Sequence, residues 1–308
     1  MKRVVSVSLG SSKRNKASTA TILGEEFSIE RIGVDGDLNA FASKFSELDG
    51  QVAALGIGGA DLYLWLDDRK YTFRQIKKLV AGAKRTPVVD GSGLKHTLER
   101  KLIYSLAESG EVDFAHSSAF LTMAVDRFGM ARALCDVCPR VVFGDVMFGL
   151  GLPIRLRSYR AVRFVGSIVL PIVTLLPFKW FYPTGEKQEQ RKPKYEWAFR
   201  EADVICGDWH YIRRHCPDRL DGKTIVTNTL RKADIEFLRT AGAAKAITST
   251  PQIEGESFGT NVMEGVIVAL LEKRPEQLTA RDYEDALDRI GWKPNVIHLS
   301  DQSGSALA

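Results

Sequence analysis

The chain has 308 residues, of which 44% are apolar and 26% charged, with 43 basic against 38 acidic side chains and a formal net charge of +5. That composition excludes a disordered or fibrous protein, and four cysteines are too few for a disulfide framework. No run of Lys and Arg exceeds two residues, so nucleic acid is excluded as a first expectation, and the mild basic excess suits an anionic small molecule.

Met1-Lys2-Arg3 followed by Val4 to Leu9 is too short and too alternating for a signal peptide, so the segment reads as a first strand and the protein is expected in the cytoplasm. Two more alternating runs, Ser18 to Leu23 and Phe27 to Ile32, complete what resembles a β-meander. Asp37 caps a helix over 38–48, Val52 to Gly56 is a buried strand, and Leu62 to Leu66 turns at 67–70. A helix is expected over 71–83, a strand over 86–90 and a periodic helix over 94–109. Then follow a short strand at 114–116, a helix over 119–134 and a strand at 141–145.

Cys135 and Cys138 have zinc-knuckle spacing without a second Cys-x-x-Cys, so the pair reads as a helix end turning at Pro139 and no metal is assigned. Phe164 to Phe178 is the most apolar segment, but Gly166, Pro171 and Pro177 interrupt it and it is too short to span a bilayer. Arg155, Arg157, Arg160 and Arg163 precede it and Lys179 to Tyr182 follow. A buried or homodimer-forming helix is one reading, and peripheral membrane contact through 164–182 the other. Strands at 204–208, 224–227 and 245–249 then alternate with helices at 209–215, 234–242 and 259–271, and a closing helix covers 280–290.

This βα alternation predicts an α/β fold, a Rossmann-like parallel sheet flanked by helices with a smaller mixed α/β N-terminal lobe. The lobes are expected at 1–110 and 111–300, with the closing helix on the second and a frayed tail over 301–308.

Ligands of open parallel sheets bind beyond the carboxyl ends of the strands. Asp90, Asp145 and Asp208 each follow an apolar run there, suited to a ribose hydroxyl, proton transfer or a cation, or to helix capping alone. Gly144 precedes Asp145 and leaves room for a ligand. Lys95 follows Gly91-Ser92-Gly93 and is placed to neutralise an anion, while His210 is placed beside Asp208 as a proton shuttle. Asn228, Thr250, Ser257, Gly259, Thr260 and Asn261 supply amides and hydroxyls at strand ends and a helix start, and with Gly144 and Asp145 they are the expected cofactor-binding set. Gly10-Ser11-Ser12-Lys13-Arg14 reads as an exposed, positively charged hairpin turn.

Four stretches carry a family resemblance: Thr-Pro-Val-Val-Asp-Gly-Ser-Gly-Leu-Lys at 86–95, Phe-Gly-Asp-Val-Met-Phe-Gly-Leu-Gly-Leu-Pro at 143–153, Tyr-Pro-Thr-Gly-Glu-Lys-Gln at 182–188 and Ser-Phe-Gly-Thr-Asn-Val-Met-Glu at 257–264. Through them the chain resembles a bacterial family labelled quinate 5-dehydrogenase, related by name to the shikimate dehydrogenases. Ser6-Val7-Ser8 and Gly56 to Ala60 are similar to that group's substrate and cofactor motifs, although here the glycines lead into a strand pattern. The resemblance implies NAD- or NADP-dependent oxidation of a hydroxylated ring acid, for which the strand-end turns offer Asp90, Lys95, Asp208 and His210 as catalytic candidates. The alternative is a non-catalytic metabolite-binding or membrane-surface sensory protein; a third class, acyl or phosphoryl transfer, would use the aspartates to hold Mg²⁺.

Overall fold

The computed structural model describes residues 1–67, 69–177, 191–250, 252–253, 256–257 and 259–299, with the side chains of 252–253 and 256–257 excepted. The chain is a mixed α/β protein with two sheets rich in parallel pairs and flanked by helices. Its described residues fall into two compact units. One comprises 1–98 with those of 166–188 and 252–292, the other 99–165 with those of 189–251 and 293–308.

In the first unit, β1 (Lys2–Ser8), β2 (Lys16–Ile22), β3 (Glu25–Gly33), β4 (Ala54–Gly58) and β7 (Val88–Val89) form a sheet in the order β2-β3-β1-β4-β7. The expected meander is corrected here: β2 and β3 are an antiparallel hairpin, but β1 pairs parallel with both β3 and β4. Val4, Val5 and Val7 are buried on both faces of β1, as a central parallel strand requires, whereas β2 alternates exposed and buried residues as an edge strand does. Leu23 and Gly24 both adopt positive φ, the conformation of the two-residue turn that joins twisted antiparallel strands.

Asp37 caps α1 (Leu38–Glu47) by accepting from the amides of Asn39 and Ala40. A second hairpin, β5 (Tyr63–Leu66) with β6 (Arg69–Thr72), takes the first residues of the expected 71–83 helix, so that α2 is only Arg74–Leu79. Tyr71 and Phe73 bury their rings beside alternating neighbours, which favours strand over helix at that point. A long helix, α3 (Ser92–Glu108), follows β7.

The second unit holds β8 (Ser118–Leu121), α4 (Phe128–Val137), β9 (Arg140–Phe143), α5 (Asp145–Gly149), α6 (Tyr159–Val173, which runs on into the first unit), α7 (Glu196–Glu201), β10 (Val204–Cys206), α8 (Trp209–His215), β11 (Thr224–Thr227), α9 (Lys232–Thr240) and β12 (Lys245–Thr248). The short strand expected at 114–116 lies instead at 118–121, and the helix expected over 119–134 begins only at Phe128. Ala119, Phe120 and Leu121 are buried on both faces of the sheet, a continuous apolar run that a helix pattern mimics. Phe120 stacks edge-on against Phe199, and with Trp209, Ile212, Ile225 and Leu238 it forms the core of one face. The complete order is β15-β12-β11-β10-β8-β9, parallel except for the edge strand β15 (Asn295–His298), which the sequence pattern did not indicate.

Between these segments the chain forms β13 (Gln252–Ile253), β14 (Glu256–Ser257), α10 (Thr260–Leu271) and α11 (Ala280–Arg289). The sequence divided the chain at 110/111 with the closing helix on the second lobe; α10 and α11 instead belong to the first unit. The reason is burial: α10 is apolar on nearly every side and packs on β1, β4 and β7, covering sheet surface that would otherwise face water. Gly265 makes the approach close, since a Cβ there would stand 2.9 Å from Val4 Cγ1. Each large apolar side chain buried in this way contributes about 1.5–3 kcal/mol.

Among the described residues no helix is long and apolar enough to cross a membrane. Helix α6 carries Pro171 and leaves Phe164, Ile168 and Ile172 exposed, so of the expected buried or homodimer-forming helix the buried form is corrected. Residues 178–182 of the expected membrane contact, the motif at 182–188 and the expected tail at 301–308 lie outside the described residues.

Candidate functional site

Strand order in the second unit reverses between β8 and β10: the chain moves outward to β9 and then the other way through β10, β11 and β12. Such a switch point opens a crevice at the carboxyl ends of the strands, because the connections on either side leave in opposite directions. The loops there carry Thr122 to Arg127 after β8, Gly207-Asp208 after β10, Asn228-Thr229 after β11 and Ser249-Thr250 after β12.

These side chains form a connected polar network. Asp208 caps α8 by accepting from the His210 amide on Oδ1 (2.8 Å), while its Oδ2 accepts from Arg127 Nη2 (3.0 Å) and Asn228 Nδ2 (2.9 Å). Asn228 Oδ1 accepts from Thr227 Oγ1 at 3.0 Å and faces the Trp209 amide at 3.3 Å. Thr250 Oγ1 donates to the Asn228 carbonyl (2.9 Å) and meets Thr229 Oγ1 at 2.8 Å. Asp208, Asn228 and Thr229 are half-buried, so the network has an open side, while Thr227, Ser249 and Thr250 form its buried floor. Burial works to raise Asp208, but the guanidinium of Arg127, with His210, outweighs it and holds the carboxyl below the usual range.

Arg127, which the sequence reading passed over, is the hinge of this arrangement. It is only 2% exposed and is ion-paired with Glu99 of α3, itself 2% exposed, as well as with Asp208. Asp126 stands 3.7 Å from its Nε. No local motif marks either residue, because the pair joins α3 to a loop 28 positions away.

Asp145 sits at the start of α5 and is buried. Its Oδ1 accepts from the amides of Ala124 and Val125, both at 2.9 Å. Those are amides of the loop leaving β8, the position from which a Rossmann fold donates to a dinucleotide phosphate. Here the protein's own carboxylate occupies them. Burial pushes Asp145 up to about 6 in spite of those two bonds. Its Oδ2 and Thr122 Oγ1 are buried with no hydrogen-bond partner among the described residues. Gly144 caps α5 by position only, since it has no side chain to accept from the amides that follow.

The remaining expected residues, His210 excepted, belong to the first unit. Asp90 is a structural acceptor: its Oδ2 receives the amides of Leu62 and Tyr63, both at 2.8 Å, and its Oδ1 that of Ser92 at 3.0 Å. Lys95 is buried in the first turn of α3. Asn261 Nδ2 donates to Ser6 Oγ at 2.7 Å, Gly259 precedes α10 and Thr260 opens it, and the side chain of Ser257 lies outside the described residues. His210 is exposed and joins Asp208 through its backbone amide. Beside Asp90, a second missed pair appears: buried Glu264 accepts from the Gly91 amide and from Tyr283 Oη, each at 2.7 Å. Among the described residues no three His, Cys, Asp or Glu side chains group to hold a metal ion, and Cys138 is a buried thiol near the Ser117 carbonyl.

Because three backbone amides converge on one carboxylate, Asp90→Ala is expected to cost about 3 kcal/mol or more of stability, at about 1–3 kcal/mol for each of the two buried donors and less for the part-buried Tyr63 amide. Urea unfolding checks this, and a variant as stable as the parent would remove the structural role.

Residues 93–299 match the model of a domain of unknown function, DUF8754, and residues 3–90 that of a second, DUF8753. The first covers more than half of the chain. The chain belongs to the DUF8754 family. The switch-point network, Arg127, Asp145 and Asp208 all lie in its DUF8754 portion, and Ser6 and Ser8 of β1 with Asp90 in its DUF8753 portion. No curated protein matches the chain.

Among solved structures it is similar to a glutamate dehydrogenase from Thermus thermophilus, with 14% identity over 94% of this chain and 74% of that one and a TM-score of 0.43. It is also similar to GanP, a glucose-galactose binding protein from Geobacillus stearothermophilus (9% identity, 98% and 99% coverage, TM-score 0.36). An NAD-dependent malic enzyme from Thermotoga maritima shows 12% identity, 94% and 84% coverage and a TM-score of 0.36. Scores this low assign no function.

Proposed function

We propose that the chain binds a small hydroxylated molecule at the carboxyl edge of the second sheet. The observation that carries this reading is the Asp208–Asn228–Thr229–Thr250 network: a carboxylate, an amide and two hydroxyls at the ends of three adjacent parallel strands, half-buried except for the buried Thr250 and already fixed by hydrogen bonds. Planar and hydroxyl groups held in this way donate to and accept from a polyol together, and their fixed positions lower the ordering cost of binding.

A second reading, oxidation of a quinate-type ring acid with NAD or NADP, draws on the parallel sheet with its switch point and on the resemblance of the sequence. In that reading His210 moves the proton, with Asp208 orienting it. The occupied amides of Ala124 and Val125 weigh against a dinucleotide at the β8 loop, so binding without turnover is the reading the geometry supports better.

Thermal shift and calorimetric titration with sugars, polyols, quinate and shikimate test the first reading. Asn228→Ala is expected to weaken the ligand found there tenfold or more, the equivalent of about 1.4 kcal/mol for one lost bond. Binding that ignores Asn228→Ala would exclude this site. Quenching of NADH or NADPH fluorescence on addition of protein, followed by turnover of quinate, would replace it with the dehydrogenase reading.

A further inference from the structure

A different feature, in the first unit, has an electrostatic arrangement that the hydroxyl network does not explain. Arg14, from the 3-10 turn Ser12–Arg14, and Arg31, from β3, converge on the loop that leaves β1. A Cβ on Gly10 would stand 2.8 Å from Nη2 of Arg14, 3.0 Å from Nη2 of Arg31 and 3.4 Å from Ser8 Oγ. A side chain at position 10 would therefore fill the space between the two guanidinium groups.

Arg31 is held in place, with Nη2 donating to Ser8 Oγ (2.9 Å) and Nη1 to the Ser11 carbonyl (3.1 Å). Among the described residues the guanidinium of Arg14 makes no hydrogen bond, and neither arginine is ion-paired with a carboxylate. Asp35, the acid that Arg31 senses, is exposed and accepts from the Ser12 amide at 2.8 Å. Burial first, and the charge of Arg14 after it, hold the Arg31 guanidinium below its ordinary range. Like charges gathered at a loop whose acid, Asp35, forms no ion pair with either of them repel one another, and an anion placed between them removes that repulsion.

We infer that the Gly10 loop binds the phosphate group of a small molecule, gripped by Arg14 and Arg31. The guanidinium of Arg14 and the N–H groups that Arg31 does not spend on Ser8 and Ser11 are donors suited to the oxygens of a phosphate, and two positive charges match a dianion better than a monoanionic carboxylate. The hydroxyls of Ser11 and Ser12 hydrogen-bond the Asp35 carboxylate, so the two arginines are the donors to the phosphate.

The test is thermal stability of the full chain with inorganic phosphate, against chloride and acetate at equal ionic strength. Phosphate is expected to raise the melting temperature above both controls. Arg14→Gln is expected to weaken phosphate at least tenfold and to raise the melting temperature of the ligand-free protein, because a repulsion is removed. Gly10→Ala keeps both charges and crowds the space between them, so it should weaken phosphate as well, and it serves if the arginine variant does not fold. A phosphate effect no larger than that of chloride or acetate, or one unchanged in Arg14→Gln, would overturn the assignment.

Discussion

Arg127→Met is expected to lower stability by about 3–5 kcal/mol, the range for breaking a buried ion pair by removing one partner. The physical reason is asymmetric. Arg127 is the cation facing Glu99 and Asp208, with Asp126 nearby, and Glu99 has almost no access to water. Methionine fills much of the volume but returns no charge, so the Glu99 carboxylate must take up a proton or draw in water. Replacing both partners, as in Glu99→Leu with Arg127→Met, removes the uncompensated charge and should recover much of the loss, since an apolar pair of similar size is often neutral relative to a buried ion pair. Urea melts of the two single variants and the double variant give the coupling directly. Additive losses would mean that the pair is not the unit holding the β8 loop. Asp208 would lose the charge that keeps its carboxyl low, so ligand binding at the switch point should weaken together with stability.

The second large effect is a dependence on pH. Burial pushes Glu264 from its ordinary 4.5 up to about 7, with the charge of Asp90 adding to it and the bonds from Tyr283 and Gly91 only partly offsetting it. A carboxyl whose value is higher in the folded state binds more protons there than in the unfolded chain. Its stabilisation is therefore full below about pH 4.5 and is lost as pH rises through about 7, a change on the order of 3 kcal/mol. Asp145, raised from 3.8 to about 6, acts in the same sense at slightly lower pH. His215 opposes both, since burial holds it below its ordinary value and favours the folded state as pH rises.

The comparison that isolates Glu264 is therefore with Glu264→Gln. The amide stays neutral at every pH and still meets the Gly91 amide and Tyr283. The two proteins should melt together near pH 5, with the variant ahead by roughly 5 °C at pH 8. Parallel melting curves from pH 5 to 8.5 would show that Glu264 carries no such shift.

What the sequence by itself determined is the local chemistry. Alternation and Gly/Asp punctuation located most strands of both sheets, Asp37 and Asp208 were legible as helix caps, and Asp208, Asn228 and Thr250 were legible as strand-end residues that meet at one edge. These signals reside in neighbours a few positions apart, where backbone geometry is dictated by the residues themselves. The 119–134 segment shows where that reasoning stops. A continuous apolar run satisfies a buried strand and a buried helix equally, and only pairing of Ala119 to Leu121 between β9 and β10 makes it a strand.

Tertiary structure decided the rest. It made β1 a central strand instead of the start of a meander, since burial on both faces rewards parallel pairing with β3 and β4. It returned α10 to the first unit, where the helix covers apolar sheet surface, and in doing so it placed Glu264 beside Gly91, 173 positions away. It also gave Asp90, a catalytic candidate of the sequence, three backbone amides to accept from, and it brought Arg127 to Glu99 and Asp208. Buried charges find partners wherever the fold supplies them, because desolvation penalises any that remain alone, and no spacing along the chain records which partner that will be.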